Sequence, residues 1–69
     1  MKPYEIGEEV YYIYFNGCNV PVEIRKGKIT DIINKIWYKF ENSNGQDVHI
    51  NYVFRNYKEI KKLYDYIES

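Results

Sequence analysis

One cysteine, one histidine, two prolines and no alanine characterise this 69-residue chain. The lone thiol, Cys18, excludes an internal disulfide, and a single imidazole, His49, leaves too few ligands for a structural zinc site. Ten basic residues balance ten acidic ones, so no net field draws the chain onto nucleic acid. The longest apolar run, Val10 to Phe15, falls far short of the roughly 18 residues that a membrane-crossing helix requires. No membrane partner is expected. One free thiol and no signal-peptide pattern lead to the expectation of a reducing, cytoplasmic setting.

The machinery of catalysis is equally sparse. Hydrolases and transferases need a nucleophile with a base, paired carboxylates or a metal. Cys18 and His49 are the only thiol and imidazole, and nothing in their spacing brings them together. Glu8-Glu9 reads as a solvated strand entry rather than an acid–base dyad. Gly7, Gly17, Gly27 and Gly45 stand singly at turns, so no phosphate loop is present. The chain is read as a non-enzyme without a cofactor or metal.

Aromatic residues are plentiful: nine tyrosines, three phenylalanines and Trp37. Ile, Lys, Asn and Tyr are the residues that A/T-rich codons favour, so genome bias accounts for the tyrosine excess as well as selection for binding does. A chain of this size buries only about 60% of its unfolded surface, and it has no staple. A dense apolar core or self-association must stabilise it. The stretch Val10-Tyr11-Tyr12-Ile13-Tyr14-Phe15 poses this problem most sharply. In a strand, Val10, Tyr12 and Tyr14 share one face and Tyr11, Ile13 and Phe15 the other. Neither face is polar, so both must be covered.

Residues 1–69 read as one domain, with strands between about 9 and 55 and a helix over about 57–68. Lys2 to Gly7 is a short lead. Strand one runs from Glu9 to Phe15 and ends at an Asn16-Gly17 turn. Val20, Val22 and Ile24 alternate with Glu23 and Arg25 in a half-buried strand, with Pro21 marking an edge or a strand start. Apolar parity then changes to Ile29 and Ile33, which a bulge at Gly27 would produce. After an Asn34-Lys35 turn, Ile36, Tyr38 and Phe40 face inward, opposite Trp37, Lys39 and Glu41. Asn42 to Gly45 is a polar turn, Val48 and Ile50 point inward, and Val53-Phe54 adds a short strand or 3₁₀ turn. Asn56 caps a helix whose Ile60, Leu63, Tyr64 and Ile67 form one apolar stripe. Glu59 stands where it can close a capping box. Lys58, Lys61, Lys62 and Asp65 lie on the solvated side.

Ile6-Gly7-Glu8-Glu9-Val10-Tyr11 resembles the opening of small SH3-like barrel proteins of Gram-positive bacteria and their phages. In those, an apolar residue, Gly, an acidic residue and any residue precede Val and an aromatic. Lys26-Gly27-Lys28-Ile29 is similar to their bent second strand, and Val53-Phe54 before an Asn56-capped helix is similar to their ending. The resemblance implies a mainly β fold: a small SH3-like barrel of four to five antiparallel strands with one C-terminal α-helix. It also implies a bacterial or phage-infected host cell, and a role such as a phage-type inhibitor or adaptor. The chain departs from the pattern at Glu8, where Asp is commoner, and in its additional tyrosines.

Binding is therefore the expected role, with Tyr11, Arg25, Lys28, Trp37 and Lys39 as candidate contact residues. Trp37 is the sharpest of these, since an outward Trp flanked by charge has the make-up of an interface anchor; packing under the helix is the competing reading. The first expectation is a non-catalytic module that docks on a larger protein through exposed aromatics and also associates with itself. The alternative is an oligomer that sequesters a nucleotide-like small ligand, with rings stacking on the base and Arg25 or Lys28 neutralising phosphate. A single-stranded nucleic-acid binder is a third option, against which the balanced charge counts.

Overall fold

β2 (Pro21–Ile33) organises the molecule, because its 13 residues are divided between two neighbours. Its first part pairs antiparallel with β1 (Glu9–Phe15), from Lys28 opposite Glu9 to Pro21 opposite Phe15. Its last residues pair with β3 (Trp37–Phe40), from Ile29 opposite Phe40 to Ile33 opposite Trp37. β4 (Asp47–His49), a 3₁₀ turn at Ile50–Tyr52 and β5 (Val53–Phe54) follow. Together they make a five-stranded sheet in the order β4-β3-β2-β1-β5, and α1 (Tyr57–Glu68) ends the chain. This computed structural model describes residues 4–17 and 20–68. The sheet curls into a small SH3-like half-barrel with a C-terminal helix, the mainly β architecture that the order of sequence signals predicts. Among the described residues no helix is long and apolar enough to cross a membrane.

The two apolar faces of β1 are both covered, each by a different part of the chain. Val10 and Tyr12 are buried in the barrel core with Ile29, Tyr38, Phe40 and Val53. Tyr12 lies parallel to Phe40, ring centroids 3.9 Å apart. On the opposite face Ile13 is fully buried, and so is Ile60 of α1. Tyr57 meets Tyr11 edge-on at 5.5 Å, and the Tyr64 hydroxyl donates to the Val22 carbonyl at 2.9 Å. These contacts seat the helix across β1 and the start of β2. The Asn56 side chain starts the helix by accepting from the amides of Lys58 (2.8 Å) and Glu59 (3.4 Å). The i, i+3, i+4 stripe then turns Ile60 to the sheet and leaves Lys61 to pair with Asp65 in solvent.

The parity change in β2 has a different origin from the bulge expected at Gly27. Val10 pairs with Gly27 in unbroken register, and the irregularity comes at Thr30, between Ile29 and Asp31. Val22 and Ile24 belong to the helix side, whereas Gly27 and Ile29 belong to the barrel side. The change in apolar spacing thus marks a handover between two cores. The extra residue at Thr30 then brings Ile32, rather than Ile33, against the barrel core. Gly27 is needed for closeness. A Cβ there would lie 2.3 Å from Asn42 Oδ1, the atom that accepts the Tyr12 hydroxyl at 2.7 Å.

Three further expectations are corrected. The lead before Gly7 includes a core residue: Tyr4 is buried, its hydroxyl donates to the Val53 carbonyl at 2.8 Å, and its ring meets Tyr38 edge-on. Ile36 sits in the turn and is 40% exposed instead of facing inward. Val20 and Val22 are also exposed, although the Tyr64 hydroxyl of α1 reaches the Val22 carbonyl. The Asn34-Lys35 turn is present, both residues having positive φ (54° and 64°), as hairpin twist demands. Cys18 lies outside the described residues.

Candidate functional site

At the end of the half-barrel away from α1, four rings stand in a row. Trp37 and His49 are cross-strand partners on β3 and β4, and their rings meet edge-on at 5.0 Å. His49 faces Tyr52 at 6.5 Å, and Tyr52 meets Phe15 edge-on at 5.0 Å. The chain folds this way for local reasons. Alternation along β3 turns Tyr38 and Phe40 inward and so sends Trp37 out. The 3₁₀ turn then carries Tyr52 back from β4 to the tip of β1. His49 also caps that turn: its Nδ1 accepts the Asn51 amide at 3.1 Å. A neutral His49 ring therefore carries its proton on Nε2.

These rings line an open cleft of 590 Å³, completed by Asn16, Gly17, Gln46, Asp47 and Val48. Trp37 stands at its rim, 37% exposed. Asp47 is the only carboxylate among the described lining residues, and Lys39 Nζ holds it at 3.3 Å. Among the described residues the lining includes neither Lys nor Arg. Such a surface offers stacking area, amide and imidazole donors and one carboxylate. It suits an apolar or aromatic group better than a phosphate.

The five candidate contact residues are not gathered in one place. Trp37 and Lys39 share the outer face of β3, beside the cleft. Tyr11 is half-buried against Tyr57, with the Lys26 ammonium 5.4 Å from its ring. Arg25 lies over the Tyr14 ring at 3.7 Å, pairs with Glu23, and donates to the Asn42 carbonyl at 2.6 Å. Its guanidinium is thus engaged in holding the Asn42 turn against β2. Asn42 Nδ2 in turn donates to the Lys26 carbonyl at 3.2 Å. Lys28 is exposed on β2, its backbone amide facing the Glu41 carboxylate at 3.4 Å. Phe15, His49 and Tyr52 were not among the candidates. They join Trp37 only through long-range closure of the barrel, which no local pattern encodes.

A second polar contact lies outside the cleft. Glu8 and Arg55 form an ion pair at 2.5 Å, and the Arg55 guanidinium also covers the Tyr4 ring at 4.5 Å. The bond from Arg55 holds the Glu8 carboxyl below its ordinary range. This pair fastens the N-terminal lead to the segment after β5. Burial pushes the Tyr12 and Tyr4 phenols up, so both stay neutral donors. Among the described residues no group of three or more His, Cys, Asp or Glu side chains could hold a metal ion.

No protein-family model matches the chain, and no curated protein or solved structure shows significant similarity to it.

Proposed function

We propose that this protein is a non-catalytic binding module that docks on a larger protein through the aromatic cleft. One observation carries the reading: Trp37, partly exposed, rims a 590 Å³ cleft whose other walls include three more rings. Exposed aromatic side chains around a depression are the usual anchors of protein interfaces. A role as an inhibitor or adaptor of the kind encoded by phages fits a domain this small, and a cytoplasmic setting fits its free thiol.

Sequestration of a nucleotide-like ligand has less support. Arg25 is occupied by Glu23 and Asn42, and Lys28 is not part of the cleft lining. A phosphate in the cleft would meet Asp47 and no cation of the lining. Nucleic acid fares no better, since affinity for it comes largely from phosphate neutralisation.

The test is affinity capture from a bacterial lysate with the wild type and Trp37→Ala side by side. The reading expects a specific protein to be retained by the wild type and lost by the variant, with the melting temperature nearly unchanged. Equal retention by both would overturn it. A fluorescence titration of Trp37 with ATP and with a single-stranded oligonucleotide separates the alternatives, for which the reading expects no response.

A further inference from the structure

The two parts of β2 differ on the side turned away from β1. Residues from Ile29 onward are paired there with β3, but Pro21 to Lys28 have no strand beside them among the described residues. The carbonyls of that edge point outward at every second residue. Lys28 accepts the Glu41 amide (3.1 Å), Lys26 accepts Asn42 Nδ2, and Val22 accepts the Tyr64 hydroxyl. Ile24 is in phase with these three, so its own N–H and C=O face outward too. Among the described residues they meet neither β3 nor a side-chain cap.

Charge along this edge is self-complementary about Ile24. Glu23 precedes it and Arg25 follows it, both on the opposite face of the strand from Ile24. We infer that the β2 edge pairs with the same edge of a second copy, antiparallel about a two-fold axis at Ile24. Ile24 then exchanges both backbone bonds with its counterpart, the narrow pair of the ladder. Glu23 of each protomer stands opposite Arg25 of the other in the non-hydrogen-bonded position, where side chains lie closest, so the Glu23–Arg25 pair already made within each protomer meets its counterpart across the axis as a cluster of four alternating charges. On the other face Val22, at 46% exposed, and Tyr57, at 48%, line a shallow groove of 260 Å³ with Ile24, Lys61 and Tyr64. The partner's Val22 and Ile24 would cover the equivalent apolar surface here. An isologous contact of this kind closes on itself and stops at two copies.

Self-complementarity is what selects a second copy over an unrelated strand. A foreign antiparallel strand would need the same Glu-x-Arg order at this register, which this chain already provides. None of the groove residues lines the aromatic cleft, so pairing leaves both clefts open and makes the assembly bivalent.

Light scattering across a concentration series tests the inference. The wild type should approach twice the protomer mass as concentration rises. Arg25→Glu, which sets carboxylate against carboxylate at the axis, should remain monomeric. The double variant Glu23→Arg with Arg25→Glu should regain the dimer, because opposite charges again face one another. A wild type that stays monomeric at millimolar concentration overturns the proposal, and so does a dimer that survives Arg25→Glu. Arg25 also holds Asn42, so a fold-independent readout is needed in the wild type itself. The Ile24 amide should exchange with solvent more slowly as concentration rises, and a concentration-independent rate would refute the edge pairing.

Discussion

The helix side and the cleft end of this half-barrel are built from the same kinds of residue and put them to opposite uses. On the helix side Ile13 and Ile60 are wholly withdrawn from solvent. At the cleft end Phe15, Trp37, His49 and Tyr52 touch one another edge-on but stay partly open. The difference lies in what covers them. α1 has 12 residues and crosses β1 and the first part of β2, while none of its residues lines the cleft at the tip of β1. Aromatic content alone therefore says little about binding in this chain. The reach of the covering element decides which rings form core and which form surface.

The largest expected effect comes from breaking the covered side. Ile60→Asp places a carboxylate where the native side chain is fully buried, opposite apolar residues that offer it no partner. Burial of an unpaired charge costs several kcal/mol, and a domain of this size has a net stability of only about 3–5 kcal/mol. The variant should be unfolded by circular dichroism at room temperature. A cooperative melt close to the wild type would show that the helix does not contribute to the fold.

Gly27→Ala tests the barrel side and should cost less. The new methyl would displace Asn42, which holds the Tyr12 hydroxyl, the Lys26 carbonyl and Arg25 together. Loss of a buried tyrosine's hydrogen bond with some local overpacking is worth about 1–3 kcal/mol, read as a lower urea midpoint. Tyr12→Phe in the same background should then cost little more, since the bond is already broken. Additive losses would show that Asn42 had moved without releasing Tyr12.

These contacts also show what a sequence of this kind reveals. Period-two alternation identified the faces of β1 and β3, and the Asn56 cap with its apolar stripe identified α1, because both signals lie within a few residues. Tyr4 escaped notice because a single aromatic in a short lead has no periodicity to betray it. The Gly27 reading had the right residue but the wrong reason: a close neighbour 15 positions along the chain leaves the same trace as a bulge. Trp37 was legible as outward-facing, whereas its companions Phe15, His49 and Tyr52 were not. They come from three separate elements that only the closed barrel brings together.

Glu8→Gln should have a smaller effect, and one that depends on pH. The native carboxyl titrates below its ordinary range because Arg55 bonds to it. Its contribution to stability is thus complete above the unfolded-state value and disappears as pH falls through the lower folded-state one. Wild type and variant should differ in melting temperature at neutral pH and converge in acid. A difference that persists at the acid end would mean that the side chain acts through packing rather than through charge. The pair is partly exposed on both sides, so raising the salt concentration should narrow the gap at neutral pH as well.

The mildest experiment leaves the protein unaltered and sharpens the comparison through its single tryptophan. Trp37 is the only indole in the chain, so its emission reports the cleft end and nothing else. Because its ring stands at the rim rather than under the helix, emission should be red-shifted relative to a buried indole, and iodide should quench it in the native state. Iodide tests more than acrylamide does, since a charged quencher stays in water and reaches only rings that water reaches. Denaturation should then raise the quenching constant only modestly, given the 37% exposure already present. A blue-shifted native spectrum that resists iodide would mean that the cleft is closed in solution. That outcome would erase the distinction between the two ends, and the docking surface with it. If quenching is instead efficient for the free protein and suppressed once a captured partner is added, the same ring identifies the face on which that partner sits.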